Sequence, residues 1–370
     1  MKRGVLDRHF LREMTVPTLA ALLLLFQLMV SLQLLRRVDV LLGSAVHGRE
    51  ILELLWDLTP HYLVMALPIS VLLGVLVGVG QLAEDRELDA LYAAGVAPFR
   101  LLLAPAVLGL LGGAVVFWLV AGPEARGLVK VRQEFDQILK LEVQHDVKPG
   151  VFYDEITGLT LFAQRIDPAT GEWQQVLVND ERDSRAPLLI LAQSGHVHAG
   201  GPEESLRLDL GDGEAHRQQT SGDDYTALRF KSASLSISVG ETLLRKNTLR
   251  SPDDEKSLGG LWRAAHRLPE GDERRRTLVA FHRRLGLACS VLAFVWFGLP
   301  LALLPAGAAG ARARGYLFAV LSLVGYFILL RLGGALGQEG RVPPWFSGQM
   351  PNVAFLAIGS VAWSRLLRHV

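Results

Sequence analysis

Two groups of residues in this chain have the types and spacing to do chemistry, and neither is catalytic. The first is the segment 81–98, Gln-Leu-Ala-Glu-Asp-Arg-Glu-Leu-Asp-Ala-Leu-Tyr-Ala-Ala-Gly-Val-Ala-Pro. Leu88, Leu91 and Tyr92 stand at i, i+3 and i+4 beside a charged face, and Gly95 with Pro98 supplies a stop, so the spacing predicts a short amphipathic helix. Such a helix can seat its apolar anchors in the groove of a soluble partner; a solvated loop helix resting on lipid headgroups has the same pattern. The second group is basic: Arg36 and Arg37, Arg126 with Lys130 and Arg132, and Arg331. Arg36 and Arg37 have the position of snorkelling residues at a helix end. Together with Arg126 and Arg331 they would also suit the phosphates of an amphiphile.

The search for a reaction centre is otherwise negative. GxxxxGK[ST] is absent, so the chain is not expected to bind ATP through a P-loop, and HExxH, CxxC and GxSxG are absent too. His196 and His198 are two apart, as a metal pair on a strand would be, but with no third ligand nearby they read as strand histidines. His282 beside Arg283 and Arg284 marks a membrane boundary. Net charge is +1, which disfavours nucleic acid as a partner. The one cysteine, Cys289, lies in an apolar run, so the polar part of the chain has no internal disulfide.

The elements that position these groups are set by where charge is missing. Val16–Leu35, Leu58–Leu82, Leu101–Ala121, Leu285–Gly310, Gly315–Gly337 and Trp345–Ser364 carry no Asp, Glu, Lys or Arg except Arg331. Each is about as long as the roughly 20 residues that cross a bilayer core. An intramembrane arginine is costly unless it faces a cavity, a partner or an anion, which singles out Arg331. Lys2, Arg3, Arg8 and Arg12 precede the first run, but it ends in Leu-Leu-Arg-Arg and not in a cleavage site, so it is expected to be a retained span and not a signal peptide. Basic residues of the short segments number ten on the side of the termini and four on the other, which predicts cytoplasmic termini.

Between the third and fourth runs lie 163 residues, Gly122–Arg284, with 49 of the 75 charged side chains. Apolar positions from Glu124 to Val143 keep a helical period, so the third span is expected to continue beyond the membrane. After Pro149 come short runs of β-formers: Val151–Ile156, Leu159–Ile166, Gln175–Asn179, Leu188–Gln193, Ser205–Leu210 and Tyr225–Val239. Turn signals such as Gly211–Gly213 separate them, which suggests an antiparallel sandwich or jelly roll. Arg245–Arg276 reads as a charged, partly helical connector. The fold class expected is an α+β membrane protein of six transmembrane helices, three and three, around an inserted jelly-roll-like domain outside the cytoplasm. Its parts are residues 1–121 with a short amphipathic helix at 83–95, residues 122–276, and residues 277–370. Gly74 with Gly78, Gly109 with Gly113, and Gly333 with Gly337 are expected at close helix contacts.

The layout resembles the LptF/LptG permease family of the lipopolysaccharide exporter. So does the opening Val-Leu-Asp-Arg-His-Phe-Leu-Arg-Glu, residues 5–13. Arg86-Glu87-Leu88 leading to Ala93-Ala94-Gly95 is similar to the family's coupling segment, with Arg86 where serine is usual. Pro149–Phe152 and Leu159–Asp167 resemble its first periplasmic strands. Gly43–Gly48, Ala121-Gly122-Pro123 and Ser194-Gly195-His196 look more like LptF, and Gly4–Arg8 more like LptG; the LptF-like reading is favoured.

This resemblance implies an inner-membrane permease subunit that does not itself hydrolyse ATP. It implies a heterodimer with a homologous permease, a dimer of the ATPase LptB that binds ATP and Mg²⁺, and an LptC-like bridge protein. Glu84, Arg86 and Glu87, with Leu88 and Leu91, would couple to the ATPase. Arg36 or Arg37 would meet lipid A phosphates, and the interior of the β-domain would shelter acyl chains. Arg126 and Arg331 as phosphate contacts are read from the residues, not from the family. A membrane receptor with an outer ligand-binding domain is the alternative, disfavoured because no cytoplasmic segment reaches 20 residues. A proton- or sodium-driven transporter would favour acidic residues within the runs, and there are none.

Overall fold

The computed structural model describes residues 3–36, 48–133, 149–153, 158–167, 170–181, 187–199, 206–218, 225–237, 252–303 and 311–369. They fall into two compact units, one helical and one containing the sheet.

The helical unit is built on six helices long and apolar enough to cross a membrane: Leu6–Leu35, Leu52–Glu84, Pro98–Ala121, Asp272–Leu303, Gly315–Gln338 and Pro344–Arg368. They contain the charge-free runs, except that residues 304–310 of the fourth run lie outside the described residues. The helices are α1 (Arg3–Arg36), α2 (Gly48–Glu84), α3 (Glu87–Ala93), α4 (Leu103–Ala121), α5 (123–133), α6 (Leu258–Arg267), α7 (Asp272–Leu303), α8 (Ala311–Gln338) and α9 (Pro344–His369). α2 is central: 78% of its apolar window is buried, against 11% for α1 and 28% for α8, whose leucine-rich faces are exposed.

Glycine sets how closely these helices approach. A Cβ at Gly78 would lie 2.6 Å from the Glu13 carbonyl oxygen, and one at Gly74 would overlap Thr18. Pro17 has no N–H to return to Glu13, so Gly78 packs against a carbonyl that the helix ladder leaves open. Gly109 meets Val295, and Gly333 and Gly337 meet Ser347 of α9, so all three expected pairs lie at helix contacts. Asn352 crosses the bundle, its Nδ2 donating to the Gly286 carbonyl at 2.8 Å, and Tyr326 donates to its Oδ1 at 3.4 Å.

In the second unit, β1 (Phe152–Tyr153), β2 (Leu159–Ile166), β3 (Trp173–Asp180), β4 (Leu188–Ala199), β5 (Leu206–Gln218) and β6 (Tyr225–Ile237) form one antiparallel sheet in sequential order. The strand crossings of a jelly roll are not present among the described strands. One register feature runs through the sheet. The row Gln164, Gln175, Gln193, Asp212 and Lys231 is skipped in four successive ladders, and Gln175 and Asp212 have positive φ of 54° and 46°. Inward residues change parity across that row: Leu159, Leu161 and Ala163 before it and Ile166 after it on β2, Ile190 and Ala192 before it and Val197 after it on β4. A lone parity change would turn a strand inside out. Made by β2 through β6 at one row, it leaves a single apolar face with a transverse crease. The Gly211–Gly213 turn expected from sequence is part of this crease, inside β5: Gly213 packs against the Leu191 carbonyl and Phe230, where a side chain would not fit.

Candidate functional site

The segment after α2 turns sharply. Asp85 N–H donates to the Gln81 carbonyl at 2.9 Å and Arg86 N–H to that of Ala83 at 3.1 Å. Arg86 takes a left-handed conformation (φ 57°) that bends the chain into α3. A side chain there costs about 1 kcal/mol over glycine. Glu87 and Asp89 occupy the first turn of α3, where carboxylates suit the helix dipole. At the other end, Val96 N–H donates to the Leu91 carbonyl and Gly95 N–H to that of Tyr92, with Gly95 at φ 79°. This Schellman arrangement is the stop expected of Gly95, and Pro98 then opens a 3₁₀ turn, Pro98–Leu102.

Leu88 is 5% exposed and belongs to the core that includes Phe10, Leu82 and Leu101, with Leu91, Tyr92 and Val96 packed against it. The apolar stripe therefore seats α3 on the chain's own bundle. Leu88 is not offered to a soluble partner's groove, as its spacing suggested, because the bundle end beside α1 is itself apolar. Burial, with the charge of Asp89, pushes the Tyr92 hydroxyl pKa up. The surface left outward consists of Asp85, Arg86, Asp89, Ala90, Ala93, Ala94 and Gly95.

Two side-chain contacts tie this segment to the first turns of α1. His9 Nε2 lies 2.8 Å from Glu87 Oε2, and Arg100 donates to Asp7 Oδ2 at 2.8 Å. Phe99, half exposed, packs at a tilt against Trp363 of α9 at 4.7 Å between centroids, so both chain ends meet this loop at one end of the bundle. Glu84, the last residue of α2, is half-buried.

The basic group is dispersed. Arg36 is the last residue of α1, and Arg37 lies outside the described residues. Arg126 is exposed on α5, and Arg331 is exposed seven residues before the end of α8, about two turns. Neither has a side-chain partner among the described residues. His196 and His198 share a face of β4, their rings 6.0 Å apart, beside Glu172 and Asp209 at 4.0 and 3.8 Å.

Sequence reading missed the cluster at the other end of the bundle. Arg284 is 3% exposed, and its guanidinium donates to the carbonyls of Asp253, Asp254 and Lys256. Arg283 pairs with the Asp254 carboxylate at 2.6 Å, and buried Glu124 holds His61 Nδ1 at 2.9 Å. The fork of donors on Arg284 anchors the returning segment, and with it α6, to α7. An arginine at the border of an apolar run does not by itself disclose three carbonyl partners some thirty residues upstream.

A family model, lipopolysaccharide export system permease LptF/LptG, matches residues 8–367. No curated protein matches the chain.

Proposed function

We propose a function that proceeds from one premise: this chain belongs to the LptF/LptG family of lipopolysaccharide export permeases. It is a multi-pass permease subunit of the inner membrane. In our reading it is the LptF-like half of a heterodimer, works with a separate ATPase dimer of the LptB kind that binds ATP and Mg²⁺, and passes lipopolysaccharide to an LptC-like bridge. Both termini and α3 lie on the cytoplasmic side and the sheet in the periplasm.

The observation that carries this reading is the seating of α3. It is wedged by Leu88 into the bundle and pinned to α1 by Glu87, while Asp89 and Ala90 on its outer side, with Asp85 and Arg86 before it, stay exposed. A force applied to that face has a rigid route into α1 and α2. Glu84, Arg86 and Glu87 transmit the ATPase stroke, with Leu88 and Leu91 as the seat. Arg36 or Arg37, Arg126 and Arg331 meet the phosphates of lipid A, and the apolar face of the sheet takes the acyl chains.

The test is co-expression with a partner permease and ATPase, and reconstitution in nanodiscs. Glu87→Ala is expected to weaken ATPase docking, and Arg36→Glu with Arg37→Glu to reduce lipopolysaccharide binding at unchanged assembly. If the chain purifies alone and hydrolysis is indifferent to its presence, the reading fails.

A further inference from the structure

We infer that α6 is a membrane-surface foot that binds the anionic phospholipid headgroups of the leaflet at the bundle end away from the termini. The helix is amphipathic over its ten residues. Leu261 and Ala265 are fully buried on the bundle, whereas Gly259, Trp262, Arg263, His266 and Arg267 form a continuous outward face at i, i+3, i+4, i+7 and i+8. Ser257 caps its N-terminus, accepting from Gly260 N–H at 3.1 Å. The Arg284 cluster holds the segment before it against α7.

Its depth points to the headgroup layer. The Trp262 ring lies 5.2 Å from that of Phe281, which is four residues, about 6 Å, before the uncharged run of α7 begins at Leu285. Trp262 is 47% exposed there, the setting in which an indole with one wet edge is favoured at a membrane interface. Charge points to the partner. Arg274 and Arg275 are matched by Glu270 and Asp272, but Arg263, Arg267 and Arg276 are exposed with no carboxylate within ion-pair distance among the described residues. The exposed acid on the same stretch without such a partner is Glu273. Basic side chains flanking an interfacial tryptophan attract anionic lipid, each by about fivefold.

This inference does not rest on the transport reading, and its test uses the full chain without ATPase or lipopolysaccharide turnover. Residue 266, on the outward face, is replaced by a photo-reactive side chain (His266→benzoylphenylalanine) and the chain is placed in vesicles of phosphatidylethanolamine and phosphatidylglycerol. Phosphate label is carried in turn by either phospholipid or by added lipopolysaccharide. Adducts with phosphatidylglycerol are expected to exceed those with phosphatidylethanolamine on the order of tenfold. Arg263→Gln, Arg267→Gln and Arg276→Gln together are expected to abolish the excess. Equal labelling of the two phospholipids, preferential labelling of lipopolysaccharide, an adduct with protein, or no lipid adduct overturns the proposal. The wild-type comparison decides even if the triple variant is unstable.

Discussion

His9 and Glu87 meet at 2.8 Å although 78 residues separate them. Both side chains are nearly half exposed, so the pair contributes little to stability, about 0.2–1 kcal/mol. Its significance is positional: it joins the first turns of α1 to the first residue of α3. His9→Ala is therefore expected to leave the melting temperature of the complex within about 2 °C while lowering lipopolysaccharide released per ATP at least about twofold. Thermal unfolding and transport read side by side check it. An unchanged ratio would reduce the contact to a surface pair.

Arg284 supports a sharper expectation. Replacing it by methionine leaves carbonyls of Asp253, Asp254 and Lys256 without their donor, each at about 1–3 kcal/mol when buried. The segment before α6 is expected to open and to be cut early by trypsin at Lys256. Arg284→Lys is not expected to rescue it, since an ammonium on a thinner stem lacks the planar fork that spans three acceptors.

Much of this was legible in sequence, for a physical reason. Missing charge over about 20 residues has one economical solution in a bilayer, so α1, α2, α4, α7, α8 and α9 could be read from composition. The stop at Gly95 was equally clear, because few residues adopt its conformation. Two things were not legible. Leu88 and Leu91 form a stripe that fits a partner's groove or the chain's own bundle equally well, and periodicity does not name the surface a stripe will find. The crease defeated alternation: Gly211-Asp212-Gly213 has the composition of a turn, and only the matching interruptions at Gln175 and Gln193 show β5 running through it.

At Gly286, contact with Gly348 is backbone to backbone. A Cβ would lie 2.2 Å from the Gly348 carbonyl oxygen. Gly286→Ala is expected to destabilise α7 against α9 by at least about 1–3 kcal/mol, the usual cost of overpacking. Gly334→Ala, where nothing lies within 4 Å, is expected to be neutral or slightly stabilising. Protease resistance of the two variants in detergent, measured together, separates steric conflict from a general effect of adding a methyl group.

The sheet edge carries a pH dependence of defined sign. Arg229, donating to Glu214 across β5 and β6, holds that carboxyl pKa below its ordinary value. A depressed folded pKa means the contribution is present above the unfolded value and lost as pH falls through the folded one. Amide exchange of β5 and β6 is therefore expected to accelerate, relative to β2 and β3, as pH drops below about 4. Glu214→Gln is expected to remove the difference. Exchange that stays in step across all strands would place the pair among surface contacts of no consequence.

Asp212 tests the crease itself. Its φ of 46° suits glycine, is tolerated by aspartate and is poorly tolerated by a β-branched residue. Asp212→Gly is expected to keep the sheet intact, within about 1 kcal/mol of the wild type, because relief of the left-handed strain offsets the added chain entropy. Asp212→Val is expected to cost at least about 1–2 kcal/mol and to act beyond β5. Restoring extended geometry at one position of the row would invert the inward face of Leu208 and Leu210 relative to Ala215, while β4 and β6 still change parity beside it. The strand would then either slip by one residue or keep the crease under strain. Amide exchange distinguishes these: loss of protection along all of β5 marks a slip, and loss confined to residues 211–213 marks retained strain. Valine tolerated with full protection throughout would show that the neighbouring strands, not the conformation of Asp212, impose the crease.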